Sequence, residues 1–353
     1  MANVDGDVAK LIIKVGGAKL TDDMMDSLVS LKVNSALGAT SISKIDFFDK
    51  SAELQTDAKF EVGKSVEISI GSQSAPSVIF NGDVIRIDYI FVTGEIDKIR
   101  LICYDGLHRL SKIWHSRAFI NKKISDIATT MASEASLTGN KIDATTATFE
   151  HLYQNNQSNL DFLRMHAKRI GYEVDIEGKG LVFKKARYQS ATSSAVILKW
   201  GDNLIDFNAK IDASDVLAEV VVSSWDPDTK TNVESSVKAG SEYKVGTVTT
   251  RGTSMVKTKL KSEAKVYRLD IPSATSAEAT AIAKTHLTMA SMNYLKAEGI
   301  CKGEPKFALG KTLEIKGVGT KISGTYYISS FEHIYNKKGF KTSFEIQSNG
   351  TFT

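Results

Sequence analysis

The chain has 353 residues, 24% of them charged and 42% hydrophobic, which is the composition of a soluble globular protein with two or three domains. Its 45 basic and 41 acidic residues leave a net charge of only +4, too small and too evenly spread to indicate a nucleic-acid-binding protein. The start of the chain is polar, and no apolar run approaches the roughly 20 residues that cross a bilayer. We therefore expect neither a signal peptide nor a membrane span.

Residues 1–115 are predicted to form an all-β domain. Apolar residues alternate within residues 65–70 and again within residues 85–91, which is typical of half-buried strands. Asn81–Gly82 is a strong turn signal and predicts a hairpin between two strands, and Gly94 predicts a further turn. Several short strands at this spacing favour a barrel or a sandwich.

Residues 116–190 are predicted to form a smaller α+β domain. Apolar side chains recur at helical spacing between residues 124 and 135, and Asn121 is the expected N-cap of this helix. A second helix should begin at the capping-box pair Ser158 and Asp161 and end at Gly171, where a left-handed C-cap is expected. A hairpin of two strands should follow it.

The remaining residues are predicted to form a second barrel with an insertion. The second barrel takes residues 191–225 plus 300–353, and the insertion takes residues 226–299. The insertion should carry exposed strands and one long helix, capped at Thr275 and stopped at Gly299. The alanine-rich face of that helix predicts close packing against a sheet or a partner helix. The predicted fold class is α+β, mostly β.

Short motifs along nearly the whole chain resemble the late control gene D family of phages, which includes the N-terminal hub of type VI secretion spike (VgrG) proteins. The resemblance is carried by the glutamine-rich entry and S-x-x-D-F-L helix that start near Gln154 and Ser158, and by five further groups of residues. Those groups are Phe80, Gly82 and Val84; Asp105, Leu107 and Leu110; Arg117, Phe119, Asn121 and Lys122; Trp225 and Asp226; and Gly324, Tyr326, Ile328, His333, Thr342 and Phe344. The family usually has an acidic residue where this chain has Gln157.

The resemblance implies a structural role in the baseplate of a contractile injection system, such as a phage tail or a type VI-like or extracellular particle. It implies two barrels like the tail-tube subunit in each chain and a homotrimer that adapts the six-fold inner tube to the three-fold spike. The implied partners are the hexameric inner tube protein, a separate spike or needle protein and the baseplate wedge proteins. Assembly would take place in the bacterial cytoplasm, and the product would be a component of a phage tail or tail-like particle.

Spike proteins of the type VI kind continue beyond the hub into an oligonucleotide-binding fold and a β-helix needle. The present sequence ends at "QSNGTFT". We therefore expect either a separate spike protein or a sequence that is a piece of a longer chain.

The motifs that could carry chemistry are incomplete. Gly63-Lys64-Ser65 and Gly310-Lys311-Thr312 resemble the end of a phosphate-binding loop, but Ala58 and Pro305 stand where its first glycine is needed. Both triplets are therefore predicted to be strand entries. Asp226-Pro227-Asp228 lacks the following ligands of a calcium loop, and the six histidines show no zinc-binding spacing. His166 and His286 are expected at helix edges. Cys103 and Cys301, far apart in sequence, are predicted to be buried thiols.

These observations predict no catalytic, cofactor-binding or metal-binding residues and no enzymatic activity. The alternative is a carbohydrate- or peptidoglycan-binding module at a tail tip, with aromatic residues that stack on sugars. The candidates are Tyr153, Trp200, Trp225, Tyr326 and Tyr327, although packing in the core is the expectation for all five. A hydrolase that cuts the cell wall during injection would need an added catalytic domain, and the predicted domains account for the whole chain.

Overall fold

The computed structural model describes residues 10–50, 52–72, 76–112, 114–186, 188, 194–226, 230–260, 266–270 and 276–353. The chain is 50% strand and 19% helix, which confirms the mostly β fold class. The described α-helices are α1 (Asp22–Asp26), α2 (Leu107–Ser111), α3 (Ile124–Glu134), α4 (Asn159–Ile170), α5 (Gly252–Met255) and α6 (Ser276–Ser291). A 3-10 turn covers Leu54–Thr56 and a π-helical turn covers Val256–Leu260.

The strands fall into three consecutive groups. The first group is β1 (Lys10–Val15), β2 (Ala18–Lys19), β3 (Leu28–Ala36), β4 (Ile42–Phe48), β5 (Ser65–Gly71), β6 (Pro76–Ile90) and β7 (Lys98–Asp105). The second is β8 (Trp114–Lys123), β9 (Lys141–Ile142), β10 (Thr148–Ser158), β11 (Tyr172–Glu177) and β12 (Gly180–Lys185). The third is β13 (Val196–Lys199), β14 (Leu204–Ile211), β15 (Glu219–Asp226), β16 (Thr231–Lys238), β17 (Thr250–Arg251), β18 (Val266–Asp270), β19 (Leu295–Lys302), β20 (Thr312–Lys316), β21 (Gly324–Asn336), β22 (Gly339–Ser348) and β23 (Gly350–Thr351).

One large sheet contains strands from both the N-terminal and the C-terminal parts of the chain. Its order is β14-β19-β22-β21-β3-β4-β7-β6-β5-β1-β2, with β20 also paired to β21 and β13 paired to β20. Strands β1 and β3 to β7, here called the first half, surround one apolar core that includes Ile13, Val33 and Leu101. Strands β13, β14 and β19 to β22, called the second half, surround another that includes Leu198 and Ile346.

The two halves have the same strand order. It is β1-β5-β6-β7-β4-β3 in the first half and β13-β20-β21-β22-β19-β14 in the second, so each strand has a counterpart at the same place in sequence and in space. Two β-bulges also correspond, because β3 and β14 are both bulged near the start, and β6 and β21 are both bulged near the middle. A further register shift between β5 and β6 has no counterpart between β20 and β21. One difference is that β1 is antiparallel to β5, whereas β13 is parallel to β20.

A short sequence repeat accompanies the repeated topology. Residues 63–68 read GKSVEI and residues 310–315 read GKTLEI. Both segments lead into the counterpart strands β5 and β20, as predicted for strand entries, and Gly63 and Gly310 both have positive φ (89° and 65°). The two phosphate-loop-like triplets are thus one structural position used twice.

The middle unit, residues 107–185, packs α3 and α4 with β8 to β12 around a third core. As predicted, Ser158 caps α4 by accepting a hydrogen bond from the Asp161 N–H, and Gly171 ends the helix with φ 72°. The expected N-cap of α3 is wrong, because Lys123 precedes the helix while Asn121 lies in β8 with φ 50°. Strands β11 and β12 form the predicted hairpin.

The predicted turn at Asn81–Gly82 is wrong, because both residues lie inside the continuous strand β6. A Cβ atom at Gly82 would stand 2.1 Å from the carbonyl oxygen of Tyr104 in the neighbouring strand. Glycine is therefore needed at this position because the neighbouring strand lies close, and not because the chain turns here.

The predicted long helix is shorter than expected. Helix α6 ends at Ser291, and Gly299 lies in β19, which pairs with both β14 and β22. Thr275, the predicted cap, lies outside the described residues. The alanine-rich face packs on a sheet as predicted: Ala279 and Ala283 contact a three-stranded sheet of β16, β15 and β18.

Two strands, β15 and β19, belong to sheets other than those that the predicted domain boundaries imply. Strand β15, expected in the second barrel, pairs with β16 and β18 under α6, while β19, expected in the insertion, belongs to the large sheet. The division into two tube-like barrels stays a prediction.

We expect Gly171→Ala to lower the free energy of unfolding by about 2–5 kcal/mol. A left-handed residue with a side chain costs about 1–2 kcal/mol, and the added Cβ would stand 2.1 Å from Thr285 Cγ2 of α6, which adds about 1–3 kcal/mol of overpacking. Urea unfolding measures the loss. Gly178→Ala is the matched control, since Gly178 has φ 63° with open space around it. Equal losses in the two variants would contradict the close contact with α6.

Candidate functional site

A cleft of about 450 Å³ lies where the two halves meet the middle unit. The first half contributes Ser41 and Asp105, the middle unit contributes Glu173 and Asp175, and the second half contributes Lys311. Two of its carboxyl groups, Asp105 and Asp175, have raised pKa values, which is a feature of many functional sites.

Asp105 ends β7 and accepts two main-chain hydrogen bonds, from Ser41 N at 2.7 Å and Leu107 N at 2.9 Å. Burial raises its pKa to about 6, and the hydrogen bonds from Ser41 and Leu107 partly oppose that rise. The carboxylate therefore fastens the β3–β4 connection to the start of α2. This is the structural role of the aspartate in the "D-x-L-x-x-L" phrase of the sequence.

Asp175 lies in β11 and faces the same cleft. Burial raises its pKa to about 8, and the negative charges of Asp105, Glu173 and Glu177 add to the rise, so this carboxyl is protonated at neutral pH. Its Oδ1 accepts a hydrogen bond from Ile176 N at 2.8 Å. Glu173 next to it accepts a hydrogen bond from the hydroxyl of Tyr327, which links the middle unit to β21.

Carboxyl groups with raised pKa values are a common feature of acid–base sites. Here, however, Asp105 accepts hydrogen bonds from main-chain N–H groups and Glu173 accepts one from the buried Tyr327, so these two carboxyl groups hold segments together. Asp175 accepts its hydrogen bond from the next residue of its own strand. The arrangement explains how three units join at one place.

A second polar cluster surrounds Arg117, which belongs to one of the motifs of the sequence. Arg117 makes a two-pronged ion pair with Glu134 (2.6 and 2.9 Å) and also donates to Gln154 Oε1 (2.9 Å) and Asn159 Oδ1 (3.0 Å). The Arg117 side chain lowers the pKa of Glu134. Its guanidinium also lies over the ring of Phe119 at 5.0 Å. The cluster ties the β8–β10 ribbon to α3 and α4.

Two of the six histidines, His166 and His286, are predicted at helix edges. His166 is buried, not at a helix edge as predicted, and burial lowers its pKa to about 4. His286 is partly buried, with Nε2 3.1 Å from the carbonyl oxygen of Arg169. Cys103 and Cys301 are buried free thiols, as predicted. Within the described ranges, no three His, Cys, Asp or Glu residues are grouped to hold a metal. Residues 227 and 228 of the calcium-loop candidate lie outside those ranges.

The five aromatic candidates divide into two groups. Tyr326 and Tyr327 are fully buried, in agreement with the prediction of core packing. Tyr153, Trp200 and Trp225 are exposed, so that prediction is wrong for them. They lie on the two-stranded ribbon, at the end of β13 and on the small three-stranded sheet, and these are different parts of the fold.

Sheet edges are the other candidate surface. Among the described strands, β14 pairs only with β19, and residues 86–90 of β6 pair only with β7. Both free edges carry exposed apolar side chains, which include Tyr89 on β6, Phe91 just beyond it and Ile211 on β14. Unprotected edges of this length are templates for a further strand.

We expect Asp175→Asn to remove much of the pH dependence of stability between pH 4 and pH 8. The pKa of an aspartate in an unfolded chain is about 3.9, below the folded value of about 8, so the folded protein holds the additional proton in this range. The free energy of unfolding of the parent should therefore fall as pH rises, by at most about 1.4 kcal/mol per pH unit. Urea unfolding at several pH values measures the slope. Glu150→Gln, at an exposed carboxyl, is the control, and parallel slopes for Asp175→Asn and the parent would contradict the assignment.

No α-helix in the described part of the chain is long and apolar enough to cross a membrane. No curated protein shows significant sequence similarity to the chain.

Solved structures of tail proteins share the fold over nearly the whole chain. The 43 kDa tail protein of prophage MuSo2 from Shewanella oneidensis is 13% identical, with a TM-score of 0.67, over 96% of this chain and 98% of that chain. A tail protein from Neisseria meningitidis MC58 is 12% identical, with a TM-score of 0.71, over 98% of both chains. The E. coli c3393 protein, described as a component of the type VI secretion system similar to the T4 tail proteins gp27 and gp5, is 8% identical, with a TM-score of 0.61, over 96% of this chain and 76% of that chain.

At these identities the likeness establishes the fold, which is that of phage tail proteins. The motifs of the sequence resemble the late control gene D family, whereas the family model that matches carries another description, so membership of late control gene D stays a prediction. The matching model is described as the Alg8 N-terminal domain and covers residues 5–337, and the chain therefore belongs to this family.

Proposed function

We propose that this chain is the central hub of a baseplate in a contractile injection system. In this proposal three copies form a ring between the six-fold inner tube and the three-fold spike. The tail-protein fold supports a place in such a particle. The observation that carries the proposal is the duplication, because the two halves share one strand order and matching β-bulges.

The duplication accounts for the change of symmetry. Three chains with two halves each present six similar units, which can meet the six subunits of a tube ring through six similar contacts. The middle unit and the segment between β14 and β19 occur once in each chain, so a ring carries three copies of each. The same ring can therefore meet a six-fold neighbour with its repeated parts and a three-fold neighbour with its unrepeated parts.

The partners follow from this position. They are the hexameric inner tube protein, a separate spike or needle protein and the wedge proteins of the baseplate. The particle would assemble in the bacterial cytoplasm as a phage tail or a tail-like machine. The partners, and not the fold, would decide which type of machine contains the chain.

The proposed role is structural and not enzymatic. Support comes from the central cleft, where Asp105 and Glu173 accept hydrogen bonds that hold the three units together.

We expect the purified chain to have a native mass of three times 38.5 kDa by light scattering after size exclusion. Added inner tube protein should bind one face of the ring, and images of the complex should show three hub chains under a six-fold tube ring. An assembled baseplate with fewer or more than three copies of this chain would contradict the proposal.

We also expect no hydrolysis of bacterial cell wall. A suspension of purified cell wall should keep its turbidity when the chain is added at micromolar concentration, while a lysozyme control clears it. Clearing by the parent that is lost in Asp105→Asn or Asp175→Asn would overturn the structural assignment of the cleft.

A further inference from the structure

Each half of the chain has two sheet edges that can join it to another half. The first is the outer edge of β3 or of its counterpart β14, called here the donor edge. The second is the edge of β21 or β6 beyond the central bulge, called the acceptor edge. Within the chain, the donor edge of β3 pairs with the acceptor edge of β21 over residues 30–36 and 330–336.

The bulge explains how an acceptor edge arises. In β21 the pairing with β20 stops at Tyr327, the bulge lies between Ile328 and Ser330, and pairing with β3 begins at Ser330. In β6 the pairing with β5 reaches Asp83, and the bulge lies between Val84 and Arg86. A bulge bends and twists a strand, so in both halves it releases the strand from its own neighbour and frees the edge beyond.

The two remaining edges correspond to the joined ones residue by residue. Counted from the bulges, Tyr89 of β6 is the counterpart of His333 in β21, and Ala209 of β14 is the counterpart of Val33 in β3. His333 is 2% exposed in its junction, whereas Tyr89 is 48% exposed. Val33 is fully buried, and Ala209 is only partly covered. The free edges of β6 and β14 thus carry the counterparts of the junction residues, but neither edge is paired with another described strand.

The register of the existing junction can be applied to the free edges. His333 lies opposite Val33, Phe331 opposite Ser35, Glu332 opposite Asn34 and Ser330 opposite Ala36. The same register places these counterparts opposite each other: Tyr89 and Ala209, Ile87 and Ile211, Asp88 and Lys210, and Arg86 and Asp212.

The resulting pairs match in character. Ile87 and Tyr89 meet Ile211 and Ala209 on the apolar face, and both charged pairs on the other face have opposite signs. Opposite charges directly across strands stabilise a sheet, and like charges destabilise it. In the single chain Arg86 pairs with Asp88 at 3.0 Å and Lys210 with Asp212 at 2.8 Å, with the two basic side chains 65% and 73% exposed. When the two edges pair, these four side chains can therefore form one cluster in which positive and negative charges alternate.

We propose that β14 of one copy pairs antiparallel with residues 86–91 of the next copy, in the register of the β3–β21 junction. The contact is head-to-tail, and repeated three times it closes a ring in which every half is joined to the next through the same kind of edge. The number of copies rests on the proposed hub function; the pairing of these two edges rests on the structure of the chain.

Disulfide trapping tests the register directly. Cross-strand Cα atoms lie about 4.5–5.5 Å apart, within the range that a disulfide spans. The double variant Tyr89→Cys with Ala209→Cys should form covalent species on oxidation that end at three copies in a denaturing gel without reductant. Each single variant should stay monomeric in that gel, and so should Asp88→Cys with Ala209→Cys, whose side chains point to opposite faces of the sheet.

Charge reversal gives an independent readout. Asp88→Lys puts two basic side chains opposite Lys210 and Asp212, and Lys210→Glu puts two acidic ones opposite Arg86 and Asp88. Each single variant should weaken association on the order of tenfold, and the double variant should restore it, because two basic residues then face two acidic ones. Sedimentation or light scattering over a concentration series measures the change.

The outcomes separate this inference from the proposed function. A native trimer with no disulfide between residues 89 and 209 and no response to charge reversal would overturn the edge pairing and leave the three-copy hub intact. A covalent ladder that extends beyond three copies would support the pairing and overturn the closed ring of three. No covalent product at any concentration would overturn the pairing.

Discussion

The pairing of β3 with β21 is the contact on which the rest of the structure depends. It joins two apolar cores into one sheet, and it places residues separated by about 300 positions in the sequence on neighbouring strands. Leu31 and Val33 from the first half thereby lie against Tyr335 and His333 from the second, and burial keeps the His333 imidazole uncharged by lowering its pKa to about 3. A charged imidazole at this seam would have to lose its hydration, so the junction is compatible only with the neutral form.

Several polar side chains in the described part of the chain join one unit to another. Arg117 and Glu134 hold the ribbon of the middle unit to its helices, while Asp105 and Glu173 connect that unit to the two halves. The buried carboxyl group of Asp105 requires partners of fixed geometry, and so it specifies how the units meet more strictly than apolar contacts would. Asp105 and Arg117, which belong to the motifs of the sequence, are thus joints between segments.

Some local signals in the sequence predicted the local structure correctly, and contacts between distant residues decided much of the rest. The cap at Ser158 and the left-handed Gly171 were predictable because a capping hydrogen bond and a positive φ depend on few neighbouring residues. The turn predicted at Asn81–Gly82 failed because the glycine is needed for the approach of Tyr104, which lies on another strand. The repeat of residues 63–68 at 310–315 was present in the sequence and could have indicated the duplication, but only the topology shows that the two segments occupy one position. The free edges carry no local signal at all, since an edge exists only once the order of strands is known.

The differences between the halves indicate which features the assembly constrains. The first strands, β1 and β13, run in opposite senses relative to their neighbours, and the short β3–β4 connection becomes a segment of more than 80 residues between β14 and β19. The first change lies away from the donor and acceptor edges, and the second begins where the donor strand ends. The bulges that create the acceptor edges, and those at the start of the donor strands, occupy equivalent positions in both halves. A duplicated unit that needed only to fold could vary at any of these places, whereas a unit that must join its neighbours in a closed ring has to keep the geometry of its edges. The pattern of what is shared and what differs is therefore the pattern expected of repeated units joined edge to edge.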